Sequence, residues 1–226
     1  MAQVWHDLLF AHWRIPVTDL LRLIPPPLAL DTHQGQAWIT LAAFRMSGIR
    51  PRGLFPCPWI SAFPELNVRT YVTLDDAPGV FFFSLDAANR LAVAVARRWY
   101  HLPYFHARMS LGWTDGRASY SSRRVQRGAP PAEFRARYRP AGEVFRAAPG
   151  SLDHWLTERY CLYSIDPRGG AWRARIHHGP WPLQRAEAEF EVNTMTTPLG
   201  LAPPPAPPLL HFAARLEVVA WSPERI

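Results

Sequence analysis

The chain has 226 residues, 48% of them hydrophobic, with ten tryptophans and only two cysteines, so it can fill a sizeable core and needs no disulfide framework. Its formal charge of +7 rests on 25 basic residues, every one of them arginine. The lack of lysine excludes Schiff-base, P-loop and pyridoxal phosphate chemistry on a lysine side chain.

So complete an absence points to a coding bias toward arginine rather than to a phosphate-binding surface. The opening residues carry no basic stretch before an apolar run, and Asp86 and Arg90 interrupt the best membrane-span candidate at 79–95. A cytoplasmic protein with no membrane partner is therefore expected.

In chain order, Trp5–Arg14 reads as a strand ended by Pro16. Val17–Leu23 reads as a short helix that Pro25-Pro26-Pro27 stops. Leu28–Asp31 and Gln36–Phe44 are expected to pair across a turn at Gln34-Gly35. Arg50–Pro64 reads as a loop. Glu65–Leu74 and Val80–Asp86 form a predicted hairpin over Asp75–Gly79. Ala87–Tyr100, with Leu91, Val95 and Arg98 at helical spacing, is the strongest helix, and a strand from Tyr104 follows it.

The second half reads as mostly β. Arg117–Val125 and Glu133–Arg139 are strands, Leu152–Glu158 is a helix capped by Ser151, and Arg159–Ser164 pairs with Trp172–His177 across Asp166–Gly170. Gln184–Val192 and Leu209–Trp221 complete the set, joined by a proline-rich surface loop at Pro198–Pro208. About ten strands, three helices and no βαβ rhythm predict an antiparallel α+β fold in one domain spanning 1–226, with strands curled around a central space.

Two files of side chains give that space a chemistry. On one face of Pro64–Val72 stand Glu65, Asn67, Arg69 and Tyr71; Leu66, Val68, Thr70 and Val72 occupy the other. Tyr104, His106 and Arg108 alternate in the same way with Phe105, Ala107 and Met109. A carboxylate, an amide, guanidiniums, an imidazole and phenols form the inventory of a polar-lined cavity rather than a merely solvated edge. The alternative for Glu65 is an internal Glu–Arg pair that fixes register, and for Arg69 a solvent-facing rim position.

Pro64–Val72, Gly79–Asp86 and Leu102–Met109, with Trp13–Pro16 and the helix running into Ile24-Pro25-Pro26, resemble the bacterial YqjF-type family of uncharacterised conserved proteins, the DUF2071 domain. The resemblance covers essentially the whole chain. That family is distantly similar to acetoacetate decarboxylase, which implies a closed, cone-like β-barrel around an active-site cavity. It also implies a cavity carboxylate at Glu65. The decarboxylase's reactive lysine follows a helix, and here Tyr104 would stand in its place. A phenol cannot form an iminium, so the resemblance implies the fold and the cavity while denying the decarboxylase mechanism.

The expected function is binding of a small anionic or carbonyl compound, with acid–base chemistry such as isomerisation, dehydration or hydrolysis if it turns over. Glu65, Tyr104 and His106 are the candidate acid–base groups; Asn67, Arg69, Tyr71, His101 and Arg108 are the candidate ligand contacts. A non-catalytic ligand sensor or carrier is the alternative. Nucleic-acid binding through Arg123, Arg124, Arg127, Arg135, Arg137 and Arg139 is a weaker one, because Phe134, Ala136 and Tyr138 alternate with these arginines as in a half-buried strand.

No metal or cofactor is expected: His101 and His106 lack ligand spacing, and His177 and His178 face opposite sides of a strand. Cys57, between two prolines, has no Cys–His motif context to support a role as nucleophile. Exposed edge strands leave a homodimer open.

Overall fold

The computed structural model describes residues 1–50, 62–202 and 206–226. In chain order its elements are β1 (Ala2–Ile15), α1 (Val17–Leu21), β2 (Ala29–Leu30), β3 (Ala37–Arg50), β4 (Phe63–Leu74), β5 (Ala77–Ala87), α2 (Arg90–Trp99), β6 (Tyr104–Thr114), β7 (Arg117–Arg124) and β8 (Glu133–Phe145). Then come α3 (Leu152–Thr157), β9 (Cys161–Ile165), β10 (Ala171–His178), β11 (Leu183–Asn193), a 3-10 turn at Thr197–Leu199, β12 (Leu209–Ala220) and β13 (Glu224–Arg225). The expected loop at 50–64 lies mostly outside the described residues, as do Cys57 and part of the proline-rich connector.

All the strands belong to one sheet, in the order β13-β10-β9-β5-β6-β7-β8-β11-β12-β1-β3-β4-β2, and β4–β5 and β10–β12 pair in addition. The β4–β5 ladder closes the sheet into a ring, the cone-like barrel of a mostly antiparallel α+β protein. The sheet also forks. One edge of β5 pairs first with β9, at Val80 and Phe81, and then with β6, from Leu85 to Ala87. β12 likewise meets β11 near Phe212 and β10 near Val218.

The wall β12-β1-β3-β4-β5 is therefore a partition between two interiors. On one side Leu9, Leu41, Ala43, Leu66 and Val68 pack with Tyr120, Phe134 and Tyr138 of β7 and β8 into a dry core. On the other, Leu8, Phe10, Ala42, Phe44 and Phe63 face α2, β9 and β10.

Bulges decide which side each residue serves. β1 loses register against β3 between His6 and Leu9, where Asp7 takes φ 54°, so Trp5 and Leu8 end on the same side despite their odd spacing. In β5 the pairs Val68–Ser84 and Arg69–Phe82 leave Phe83 unmatched, so Val80, Phe82, Leu85 and Ala87 share one face. Gly79 is required where β9 joins the fork, since a Cβ there would stand 2.6 Å from the Cys161 carbonyl oxygen and 2.6 Å from the Tyr163 ring.

Several local expectations are corrected. Ala29–Leu30 pairs with Thr73 and Val72 of β4, not with β3; Gln34-Gly35 still turns the chain, at φ 51° and 74°. The β4–β5 hairpin turns on Asp75 and Asp76 alone, at φ 50° and 57°, because two left-handed residues match the twist of the flanking strands. β5, α2 and β6 make a parallel crossover, and β5 also runs parallel to β9; the other pairings among the described strands are antiparallel. α2 begins where Asn89 Oδ1 accepts from the Leu91 and Ala92 amides, each at 3.0 Å. Ser151 caps α3 in the same manner, accepting from His154 N at 3.2 Å.

The arginine face of β8 is balanced by β11, where Glu191 meets Arg135 and Arg137 and Glu187 meets Arg139. Arg124 departs from that exposed cluster. It turns inward and grips Asp86 from Nε and Nη2, at 3.1 and 2.7 Å from Oδ1, with both side chains buried. Strand alternation separates it from its exposed neighbour Arg123. No helix among the described residues is long and apolar enough to cross a membrane.

Candidate ligand-binding cavity

A cavity of about 240 Å³ opens on the α2 side of the partition. β4 supplies Phe63, Glu65, Asn67 and Arg69; β1 and β3 supply Phe10, Phe44 and Met46 among others; β5 adds Val80, Phe82 and Leu85. Leu91, Ala92, Val95, Ala96 and Tyr100, on one side of α2 and its C-cap, form the rim. Among the described residues the lining is otherwise apolar, apart from Met1, Gln3, Glu65, Asn67, Arg69, Tyr100 and Tyr104.

Glu65 is buried, and its Oε2 accepts a 2.8 Å hydrogen bond from the Tyr104 hydroxyl. The partnership follows from the ladders: Glu65 pairs with Ala87 and Asn67 with Leu85, and Leu85 in turn pairs with Tyr104. Burial raises the Glu65 carboxyl from its usual 4.5 to about 7, against the opposing pull of hydrogen bonds from Tyr104 and Asn67. Burial and the neighbouring carboxylate push the Tyr104 phenol well above its ordinary value. Among the described residues no arginine pairs with Glu65.

Arg69 is 7% exposed, and its Nε and Nη2 have no hydrogen-bond partner among the described residues. Its guanidinium carbon lies 5.0 Å from the Phe10 ring centroid. Burial lowers its proton affinity, while the Tyr71 phenol beside it works the other way. Asn67 Oδ1 is also buried and unpartnered among the described residues. Orphaned buried donors and acceptors cost about 1–3 kcal/mol each, more when charged, unless something supplies the missing partner.

Tyr71 shares this strand face but is buried and not among the lining residues. Its hydroxyl is 2.6 Å from Thr40 Oγ1 and donates to the Leu156 carbonyl at 3.0 Å. From Thr40 a buried chain leads away: His12 Nδ1 is 2.8 Å from Thr40 Oγ1, His12 Nε2 is 3.2 Å from His211 Nδ1, and His211 Nε2 is 3.0 Å from Asp153 Oδ1. Arg185 reaches the same His211 nitrogen at 2.8 Å and holds Asp153 at 2.7 Å. Burial, His211 and the Arg69 charge hold the His12 pKa well below its usual value.

His106, Arg108 and His101 are not among the lining residues. His106 pairs with Ala87 and so follows Tyr104 in direction, but it sits where the enclosure ends, half-buried near Arg90 and Arg108. Arg108 is exposed opposite Arg123, and His101 packs its ring 4.9 Å from Trp172. The alternation in β6 is real, but the walls around it stop after Tyr104. No trio of His, Cys, Asp or Glu among the described residues could hold a metal ion.

Sequence reasoning missed the aromatic lining from β1 and β3, and the rim on α2. The amphipathic pattern of α2 could have revealed the rim. The His12–His211 contact joins residues 199 apart and has no local signal.

Comparison with known proteins gives this architecture a lineage. Residues 2–217 match the model of DUF2071, described as an uncharacterized conserved protein. The uncharacterized protein YqjF of Bacillus subtilis is 48% identical over 221 residues, covering 98% of this chain and 90% of that one. Among solved structures, the enduracididine biosynthesis enzyme MppR complexed with pyruvate superposes with a TM-score of 0.70 at 11% identity, over 99% of this chain and 89% of that one. The acetoacetate decarboxylase of Legionella pneumophila gives 0.66 at 11% identity, over 100% and 87%. At such identities the likeness is one of fold. The chain belongs to the DUF2071 family of uncharacterized conserved proteins.

Proposed function

We propose that this protein binds a small, partly apolar compound through an anionic group held by Arg69, and that Glu65 and Tyr104 exchange protons with it. The observation that carries the reading is the Arg69 guanidinium in the cavity wall, with two of its nitrogens unpartnered among the described residues. A carboxylate or phosphate oxygen is the natural complement, since a guanidinium offers paired donors in a planar fork. Asn67 Oδ1, one strand position-pair away, would accept from a ligand hydroxyl or enol.

Glu65, with its carboxyl at about 7, is populated in both protonation states at neutral pH, as a general acid–base group needs. Tyr104 orients the carboxylate through its 2.8 Å hydrogen bond. Proton transfer at a carbon beside a carbonyl, as in isomerisation or dehydration, uses these groups without a covalent intermediate. The cavity would serve a sensor or carrier equally well if no exchange occurs.

The test is a panel of small keto and hydroxy acids, read by thermal unfolding and by exchange of carbon-bound hydrogen in heavy water. At least one acid should raise the unfolding temperature, with the effect lost in Arg69→Met and hydrogen exchange lost in Glu65→Gln. Stabilisation without exchange identifies a carrier. An Arg69→Met protein that responds as the wild type does would overturn the assignment of the anion site.

A further inference from the structure

The cavity has a direction. Along β4 the inward residues run Arg69, Asn67, Glu65, Phe63, so cation gives way to amide, acid and then hydrocarbon over about 20 Å of extended strand. Toward Phe63 the described lining is mostly apolar, with Gln3 and the Met1 ammonium as its polar groups. Phe63 pairs with Met46, Met46 pairs with Trp5, and all three line the cavity.

The rim beyond them is built from one face of α2. Val93 is the only α2 residue that is fully buried. Leu91 and Val95 line the cavity yet are 67% and 60% exposed, and Trp99, the next residue in the same i, i+4 row, is 63% exposed. A mouth that admits small polar metabolites has no use for exposed leucine and valine at its lip. Contiguous exposed apolar surface marks a binding surface, and here it is continuous with an interior that ends on a cation.

We propose that the ligand is an amphiphile: an aliphatic carboxylate whose head reaches Arg69 and Asn67, whose chain passes Glu65 and Tyr104, and whose tail lies over Leu91 and Val95. This rests on the reading of Arg69 as the anion site and specifies the class of compound it takes. The order along β4 also sets where chemistry would occur. Glu65 stands between the head site and the mouth, so it addresses carbons along the chain rather than the carboxylate itself.

The experiment is calorimetric binding of butanoate, hexanoate, octanoate and decanoate below their micellar concentrations. Each added methylene should tighten binding by about fourfold while it remains against the wall. The Leu91→Ser/Val95→Ser double variant, altered only at exposed positions, should lower the decanoate-to-butanoate affinity ratio by about tenfold. Arg69→Met should weaken every acid in the series.

Butanoate binding that depends on Arg69 but does not strengthen with chain length would sink this inference and leave the anion site standing. An unchanged affinity ratio in the double variant would do the same. Failure of every acid to bind would remove both.

Discussion

Glu65→Gln should make the protein more stable, and increasingly so as pH rises. In the fold the carboxyl keeps its proton up to about 7, whereas in the unfolded chain it loses it near 4.5. Below 4.5 the group is neutral in both states and costs nothing. As pH climbs from 4.5 to 7 the unfolded chain ionises while the fold resists, so stability falls, and above 7 the loss is complete. At about 1.4 kcal/mol per unit of pH, the gap is worth about 3 kcal/mol.

Glutamine keeps an oxygen for the Tyr104 hydroxyl and has no proton to lose, so its curve lacks this descent. Urea unfolding followed by tryptophan fluorescence, at intervals from about pH 4.5 to pH 8, should show the two proteins nearly equal at the acid end and separated by about 3 kcal/mol at the other. His12, His178 and His211, whose depressed pKa values give the opposite slope as pH falls through 6.5, are common to both proteins and cancel. Parallel curves, or a wild type that gains on the variant with rising pH, would refute a buried, proton-retaining Glu65.

Tyr104→Phe removes the hydroxyl that favours the charged form of Glu65, so the carboxyl should titrate about one unit higher still, as read by carbon-13 NMR of its side chain. Arg124→Met leaves Asp86 buried without its cation and should cost about 3–5 kcal/mol in urea unfolding; adding Asp86→Asn should recover much of that loss.

The cavity face of β4 was legible because strict alternation sorted Glu65, Asn67 and Arg69 from Leu66 and Val68, and β4 carries that phase without a break on its own chain. Tyr104 was legible through its alternation with His106 and Arg108 and through the family resemblance. What alternation cannot show is where enclosure ends, which is why His106 and Arg108 share the expected direction but not the space. Bulges are equally silent. Nothing in Phe81-Phe82-Phe83 announces that only the middle ring enters the cavity wall, because an unmatched residue is a property of two strands together. The pairing of β2 with β4 and the parallel contact of β5 with β6 likewise depend on partners far away in sequence.

Because a single layer of five strands divides the two interiors, each side chain facing one of them is backbone neighbour to side chains facing the other. Leu66 and Val68 never meet a ligand, yet each is the backbone neighbour of two side chains that would. Trimming either would let the strand settle toward the dry side and carry Glu65, Asn67 and Arg69 with it. On the proposed reading, selectivity would thus be adjustable from behind, by substitutions that change no cavity-lining residue but shift those it has.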